Sequence, residues 1–154
     1  MMNISTFRRA TSNDCAHLAG LNHLLLQDEG HRNSKMTIPE LEQRMRGWLQ
    51  SGEYAGVLFE DAGEVVAYAL YREQPQEIYL RQLFVARHHR RKGIGRKAIE
   101  ILRQRIWPKN KRLTVDVLIK NTAALAFWRA VGYEDYSLTL EILPVSAGRK
   151  DKRA

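Results

Sequence analysis

The sequence predicts a single α/β domain with a mixed sheet, in the order β-α-α-β-β-β-α-β-α-β. Three observations lead there. Helical and strand-like apolar patterns alternate along the chain without an internal repeat or a linker. The 154 residues suit one domain large enough to bury a core, and 44% apolar residues argue against disorder. At the centre, a strand pattern, a cationic glycine loop and a helix pattern follow one another directly.

In chain order, Ile4 to Arg9 reads as a short strand, and Thr11-Ser12-Asn13-Asp14 as a capping cluster. A helix with Leu18, Leu21 and Leu25 on its apolar face follows. Gly30 to Lys35 is a polar break, an acceptor loop or only a connection. Thr37-Ile38-Pro39-Glu40 starts a second helix with the spacing of a capping box, and it stops near Ser51-Gly52. Tyr54 to Phe59 and Val65 to Tyr71 flank the turn Asp61-Ala62-Gly63 and form a hairpin. Beyond Pro75 a strand ends at Val85. The central helix runs to about Trp107 before Pro108. Leu113 to Leu118 is a strand, Asn121 to about Ala130 a helix closed by Gly132, and Tyr136 to Leu143 a loosely alternating last strand. The domain is taken as residues 1–143, with 144–154 as a basic, disordered tail.

The central stretch is Arg87-His88-His89-Arg90-Arg91-Lys92-Gly93-Ile94-Gly95-Arg96-Lys97-Ala98. It follows Ile78 to Val85, and Ile94, Ala98, Ile101 and Leu102 carry the helical spacing after it. A helix N-terminus has unpaired N–H groups and the positive end of the macrodipole, so it favours an anion. Two glycines allow a ligand close to the backbone, and six cationic side chains surround them with no acid among them. A phosphate-bearing ligand fits. The alternative is a solvated basic loop. Gly93-x-Gly95-x-x-Ala98 with Asp116 downstream also fits the dinucleotide fingerprint, but a basic loop of about seven residues separates Val85 from Gly93, where that fingerprint needs a tight turn. A Walker loop fails too, for want of Gly-Lys-Ser/Thr.

Arg90-x-x-Gly93-x-Gly95 after Leu83-Phe84-Val85 resembles the acetyl-CoA motif of the GNAT superfamily of N-acetyltransferases. Asn121-Thr122-Ala123-Ala124-Leu125-Ala126-Phe127-Trp128, continued to Gly132-Tyr133, is similar to that family's second motif. The element order agrees from Ile4 to about Leu143. The resemblance implies a mostly antiparallel central sheet flanked by helices, whose fourth and fifth strands splay to admit the cofactor. It implies direct transfer of acetyl from acetyl-CoA to a primary amine of a small molecule or protein, with no metal.

Carried over by position, backbone N–H groups from Arg91, Lys92, Gly93, Ile94, Gly95 and Arg96 would meet the pyrophosphate, with Arg90 shaping the loop. Leu83, Phe84 and Val85 would lie along the pantetheine arm, the Leu83 N–H serving as oxyanion donor. Asn121 would reach the pantetheine amide or simply cap its helix, and Trp128 would wall the cofactor. Phe127 reads as core. Glu77 or Tyr79 would stand where family members place a base or water-holding group. Trp128 occupies the position of a common tyrosine acid, and indole cannot act as one. Tyr133 and Tyr136 are substitutes, or the thiolate leaves unassisted.

A formal charge of +8 invites a polyanion, but much of it sits in the tail and the central loop. No zinc finger or aromatic-basic strand pattern supports nucleic acid, which stays the least favoured of three readings. The second is a catalytically idle acyl-CoA-binding module. A lone cysteine, Cys15, and the lack of a leader pattern or a membrane-length apolar run point to the cytoplasm. His88-His89 and His17/His23 lack zinc-like spacing to acids. With one convincing strand after the second motif, a homodimer completing the sheet edge is a weaker expectation.

Overall fold

In the computed structural model, which describes residues 3–30, 32–90 and 93–145, a mixed sheet lies between two helical layers. Its strands are β1 (Thr6–Arg9), β2 (Ala55–Asp61), β3 (Glu64–Glu73), β4 (Glu77–Val85) and β5 (Arg112–Val115). They are ordered β1-β2-β3-β4-β5, antiparallel as far as β4. β5 then pairs parallel to β4. A parallel neighbour requires a crossover, and α3 (Ile94–Ile101) supplies it. The other helices are α1 (Cys15–Glu29), α2 (Ile38–Ser51) and α4 (Thr122–Ala130). Among the described residues, no helix is long and apolar enough to cross a membrane.

The sheet buries both faces. On one, Leu18 and Leu25 of α1 and Met45 of α2 pack with Leu58, Tyr68, Leu70 and Phe84. On the other, Ile94, Ala98 and Ile99 of α3 and then Leu102 meet Phe59, Ala67, Ala69, Tyr71, Ile78 and Leu80. β3 therefore reads as a nearly continuous apolar run, as a strand covered on both sides must. A polar chain crosses the first core. Tyr68 Oη donates to Gln82 Oε1 at 2.8 Å, and Gln82 Nε2 donates to Asn22 Oδ1 of α1 at 3.2 Å. All three residues are buried, so each group depends on the next for a partner.

Two irregularities shape the sheet. In β3, Val66 is an extra residue between the pairs Phe59↔Ala67 and Glu60↔Val65. In β4, Arg81 is an extra residue between Leu70↔Gln82 and Tyr71↔Leu80. Side chains alternate with period 2, so one inserted residue reverses which face each later residue occupies. Ile78 and Leu80 lie in the α3 core, yet beyond Arg81 it is Leu83 and Val85 that pack against that core, while Phe84 joins the α1/α2 core.

The predicted last strand is corrected. Tyr136 to Leu143 forms no strand among the described residues, and the sheet ends at β5. Tyr136, Leu138, Leu140 and Ile142 are all exposed, and no strand of the described residues pairs with the segment. Two side-chain contacts hold the segment: Arg112 over the Tyr136 ring, 4.6 Å from its centroid, and Arg32 to Glu141 at 2.6 Å. The central helix also changes form. After Ile101 it widens into a π turn over Leu102–Ile106, closed by Trp107 N–H donating to Leu102 C=O, before Pro108 ends it. The basic tail lies outside the described residues beyond Val145.

Helix starts follow the sequence closely. Glu40 N–H donates to Thr37 Oγ1 at 3.3 Å and Thr37 N–H donates to Glu40 Oε1 at 3.0 Å, a reciprocal capping box. Removing the hydroxyl in Thr37→Ala should lower stability by about 1 kcal/mol. A shift of the urea midpoint at unchanged m-value reads this directly; an unaltered midpoint would show that the cap contributes nothing.

Candidate active site

The site starts where two strands part. β4 and β5 pair at Glu77↔Arg112, Ile78↔Leu113, Tyr79↔Thr114 and Leu80↔Val115. β5 then ends, while β4 continues to Val85 with β3 alone beside it. Arg81 to Val85 thus presents a strand edge to an open gap, and unpaired edge groups are ready partners for an extended ligand. The parting begins at the Arg81 bulge. Leu83 and Val85 face the α3 side of the gap, whereas Tyr79 packs on the α1/α2 side.

The edge leads straight into the cationic loop. Ala86 N–H donates to Val66 C=O, and a 3₁₀ turn, Arg87–His89, follows. Arg90 folds back, its Nε donating to Val85 C=O at 2.8 Å. Asp28, near the end of α1, accepts from Arg87 Nη2 and from Arg90 Nη2, each at 2.6 Å. One carboxylate therefore clamps both ends of the turn and is already committed, so it is not a free attractor for an amine. Burial pushes the Asp28 carboxyl up, but the hydrogen bonds and charges of Arg90 and Arg87 outweigh this and hold it below the usual range.

Gly93 and Gly95 are glycines for different reasons. Gly93 precedes α3 with φ +77°, a left-handed conformation, and no atom of the other described residues lies within 4 Å of where its Cβ would be. At Gly95, a Cβ would meet the Phe127 ring at 3.2 Å, so helix–helix packing by itself requires a glycine here. The Ile94 side chain is buried in the core, leaving only its backbone for the loop. Arg96 Nη2 reaches Ala130 C=O at 3.5 Å. Arg91 and Lys92 lie outside the described residues.

The second motif packs on the first. Asn121 Oδ1 accepts from Ala124 N–H at 3.1 Å and caps α4. Phe127 and Trp128 pack against the α3 core, edge to face with centroids 4.9 Å apart. Trp128 in turn meets Tyr133 edge to face at 5.3 Å. The Tyr133 hydroxyl is buried without a partner among the described residues, and burial pushes it up to about 12, against the opposing effect of Arg103. Arg103 lies in the wide turn at the far end of the α3 helix from Gly93. Tyr136 is exposed against Arg112.

Of the remaining candidates, Glu77 is tied to Arg112 Nη1 at 2.9 Å, at the end of β4 opposite the loop. Tyr79 is better placed. Its hydroxyl donates to Asp116 Oδ2 at 3.0 Å, across the strands where the gap opens. Burial and then the Asp116 carboxylate push this phenol up to about 12. Asp116, just past the end of β5, is the site residue that sequence reasoning passed over. Its only signal was a spacing that belonged to the rejected dinucleotide pattern. Likewise, His88 and His89 do find an acid. Glu64 lies 3.6 Å and 3.5 Å from their Nε2 atoms, joining the β2–β3 turn to the 3₁₀ turn.

An open strand edge beside a helix N-terminus, with a cationic stretch between, is an arrangement suited to an extended, phosphate-bearing ligand. The model of the acetyltransferase (GNAT) family matches residues 19–133, and the chain belongs to that family. No curated protein matches the sequence. Solved structures do match in fold. A "possible acetyltransferase" from Clostridium difficile 630 is 16% identical with a TM-score of 0.76, over 92% of this chain and 97% of that one. An aminoglycoside N-acetyltransferase, AAC(6')-Iy, in complex with CoA is 15% identical with a TM-score of 0.72, over 90% and 93%. A "predicted acetyltransferase" with acetyl-CoA from Clostridium acetobutylicum is 17% identical with a TM-score of 0.70, over 90% and 95%.

The Asp28 clamp has a signed pH dependence. A carboxyl lowered by folding contributes stability that is present above its unfolded value near 4 and is lost as pH falls through the folded value. Wild-type stability should therefore decline below about pH 4 more steeply than that of Asp28→Asn. Thermal midpoints of the two proteins from pH 6 to pH 2 test this, and parallel curves would rule it out.

Proposed function

We propose that the protein is an N-acetyltransferase that moves acetyl from acetyl-CoA directly to a primary amine. The observation that carries this reading is the parting of β4 from β5 after Leu80 and Val115, which leaves Arg81 to Val85 without a β5 partner and leads into the loop before α3. Family membership supports it. In this reading the pantetheine arm lies along Leu83, Phe84 and Val85 as a surrogate strand. Backbone N–H groups from Arg91 to Arg96 take the pyrophosphate, with open space at Gly93. Asn121 and Trp128 complete the cofactor side.

The reaction forms one C–N bond and breaks one C–S bond. The amine nitrogen attacks the thioester carbon, charge develops on the carbonyl oxygen beside the Leu83 N–H, and the thiolate departs. An amine of pKa near 10 is only about one part in a thousand free base at pH 7, so its proton must be taken up. We assign that role to the exposed carboxylate of Asp116, reached through water and oriented by the Tyr79 hydroxyl. Glu77 is engaged by Arg112 and takes no part. Burial keeps Tyr133 a weak acid, so the thiolate leaves unassisted and is protonated by solvent.

Titration with acetyl-CoA should give saturable binding near one per chain, and added amine should release thiol. Gly93→Glu, which puts a side chain and a negative charge into the open space, should abolish binding. Asp116→Asn should lower kcat by about 10²- to 10⁴-fold with acetyl-CoA affinity kept, the range typical of a lost general base. Binding without thiol release across an amine panel would instead indicate an acyl-CoA-binding module. Failure of a folded sample to bind would reject the cofactor assignment.

The sheet edge supports a homodimer. Among the described residues β5 has no strand on its outer side, and the same chain carries an alternating apolar segment from Tyr136 to Ile142 that is exposed throughout. Two copies can each give this segment to the other's edge, a closed two-fold exchange. Light scattering should report twice the chain mass and Leu140→Arg the mass of one chain; a monomeric wild type would overturn the assignment.

A further inference from the structure

The α1/α2 side of the gap carries two cations, Arg44 and Arg81, that no carboxylate of the described residues neutralises. Arg44 of α2 and Arg81 of the β4 bulge both stack on Trp48, with guanidinium carbons 4.6 and 4.7 Å from the ring centroid. Among the described residues neither is paired with a carboxylate, and Arg81 finds only the Tyr54 hydroxyl, at 3.4 Å. By contrast, the nearby Arg72 has Glu53 at 3.8 Å, and Arg87 and Arg90 share Asp28. Arg44 Nε is buried with no acceptor. Burial, then the charge of Arg81, holds the Arg44 guanidinium below its ordinary value, as expected of two cations brought together without an anion. Glu29 is felt at Tyr68 but pairs with neither arginine.

This is a costly arrangement for a structural role, since a half-buried guanidinium without a counter-charge destabilises the fold. A ligand anion would resolve it. Planar guanidinium forks suit carboxylate and phosphate oxygens, and Trp48 holds both forks in place. The opposite charge lies one strand position away. Tyr79 is two residues before Arg81, and its hydroxyl is bonded to the exposed Asp116 carboxylate. Arg72 bridges the two ends, 5.5 Å from the Tyr54 ring and 5.6 Å from the Tyr79 ring. The face therefore offers a cation pair and an anion on either side of the Tyr79 ring.

We propose that the acceptor is an amine that also carries an anion, a carboxylate or a phosphate, which Arg44 and Arg81 bind beside Trp48 while Asp116 receives the ammonium end. This rests on the acetyltransferase reading and deepens it by naming the substrate class. Polycationic amines are the wrong partners for this face.

The test compares matched acceptors that differ only in the anion. One arm uses α-amino acids and their amides, the other amino-sugar phosphates and the free amino sugars, so the two sources of anion are separated. An aminoglycoside serves as the cationic control. Calorimetric binding of each acceptor to the wild-type protein with CoA present is measured alongside acetyl transfer, so the anion preference is read even where transfer is slow. In at least one arm the anionic member should bind 10- to 100-fold tighter than its neutral partner, the effect of a charge-assisted contact. Arg81→Gln and Arg44→Gln should each raise KM for the anionic member at least tenfold. KM for the neutral partner should change by less than about threefold, and acetyl-CoA affinity should hold. Neutral or polycationic acceptors favoured in both arms would overturn the proposal, as would arginine variants that weaken both members equally. A wild-type protein that fails to bind acetyl-CoA would fail the acetyltransferase reading instead, and acceptor binding measured without CoA would still decide the anion preference.

Discussion

The extra residue at Arg81 sets the direction of every other part of the site. In an uninterrupted strand Tyr79, Arg81, Leu83 and Val85 would share one face. With the insertion, Tyr79 lies on the α1/α2 side and Leu83 and Val85 on the α3 side. A single strand then presents a ligand edge toward one helical layer and polar groups toward the other. The same insertion falls where β5 stops pairing, since its last partner in β4 is Leu80. Local disruption of the ladder is the usual consequence of a bulge, and here the two faces of the sheet communicate through it. The cost is offset on both sides, by Leu80 and Ile78 in one core and Phe84 stacked on Tyr68 in the other.

Much of the architecture was legible because it rests on local chemistry. Thr37 and Glu40 sit at capping-box spacing, and both hydrogen bonds form. The strand, loop and helix around Gly93 are likewise encoded within about twenty residues. What escaped belongs to pairs of residues far apart in sequence. No property of Arg81 alone marks it as the bulged position; that depends on how β3 registers against it. Asp116 becomes notable through Tyr79, 37 positions away, and Glu64 through His89. The steric need for a glycine at 95 comes from Phe127, which only the packing of α4 on α3 brings there. The last strand failed for the opposite reason. Its alternation from Tyr136 to Ile142 is real, but a strand exists only when another backbone pairs with it.

Charge makes the same point about context. The formal excess of +8 reads as a general affinity for polyanions, but the excess is not uniform. Asp28 neutralises part of the loop's charge at Arg87 and Arg90. Lys97 has Glu100 at 3.8 Å. Arg44 and Arg81, which look ordinary in the sequence, lie together on Trp48 with no acid paired to either among the described residues. A nucleic-acid surface would need its cations along one continuous stripe. Here they are divided between the two sides of the sheet, which suits two small anions better than one long polyanion.

The unequal burial of the two halves follows from these constraints. β1 to β4 and α1 to α3 share the two cores, whereas α4 has no buried residue and β5 spans four residues. α4 is held by the Asn121 cap, by Phe127 and Trp128 against the α3 core, and by Arg96 at its last turn. Two of these attachments, Phe127 on Gly95 and Arg96, are made by the first turn of α3, the turn that opens the phosphate loop. The docking of α4 therefore depends on the same turn of α3 that follows Gly93. Under the proposed function, an anion bound at the N-terminus of α3 would act on the surface on which α4, the least buried helix of the fold, rests.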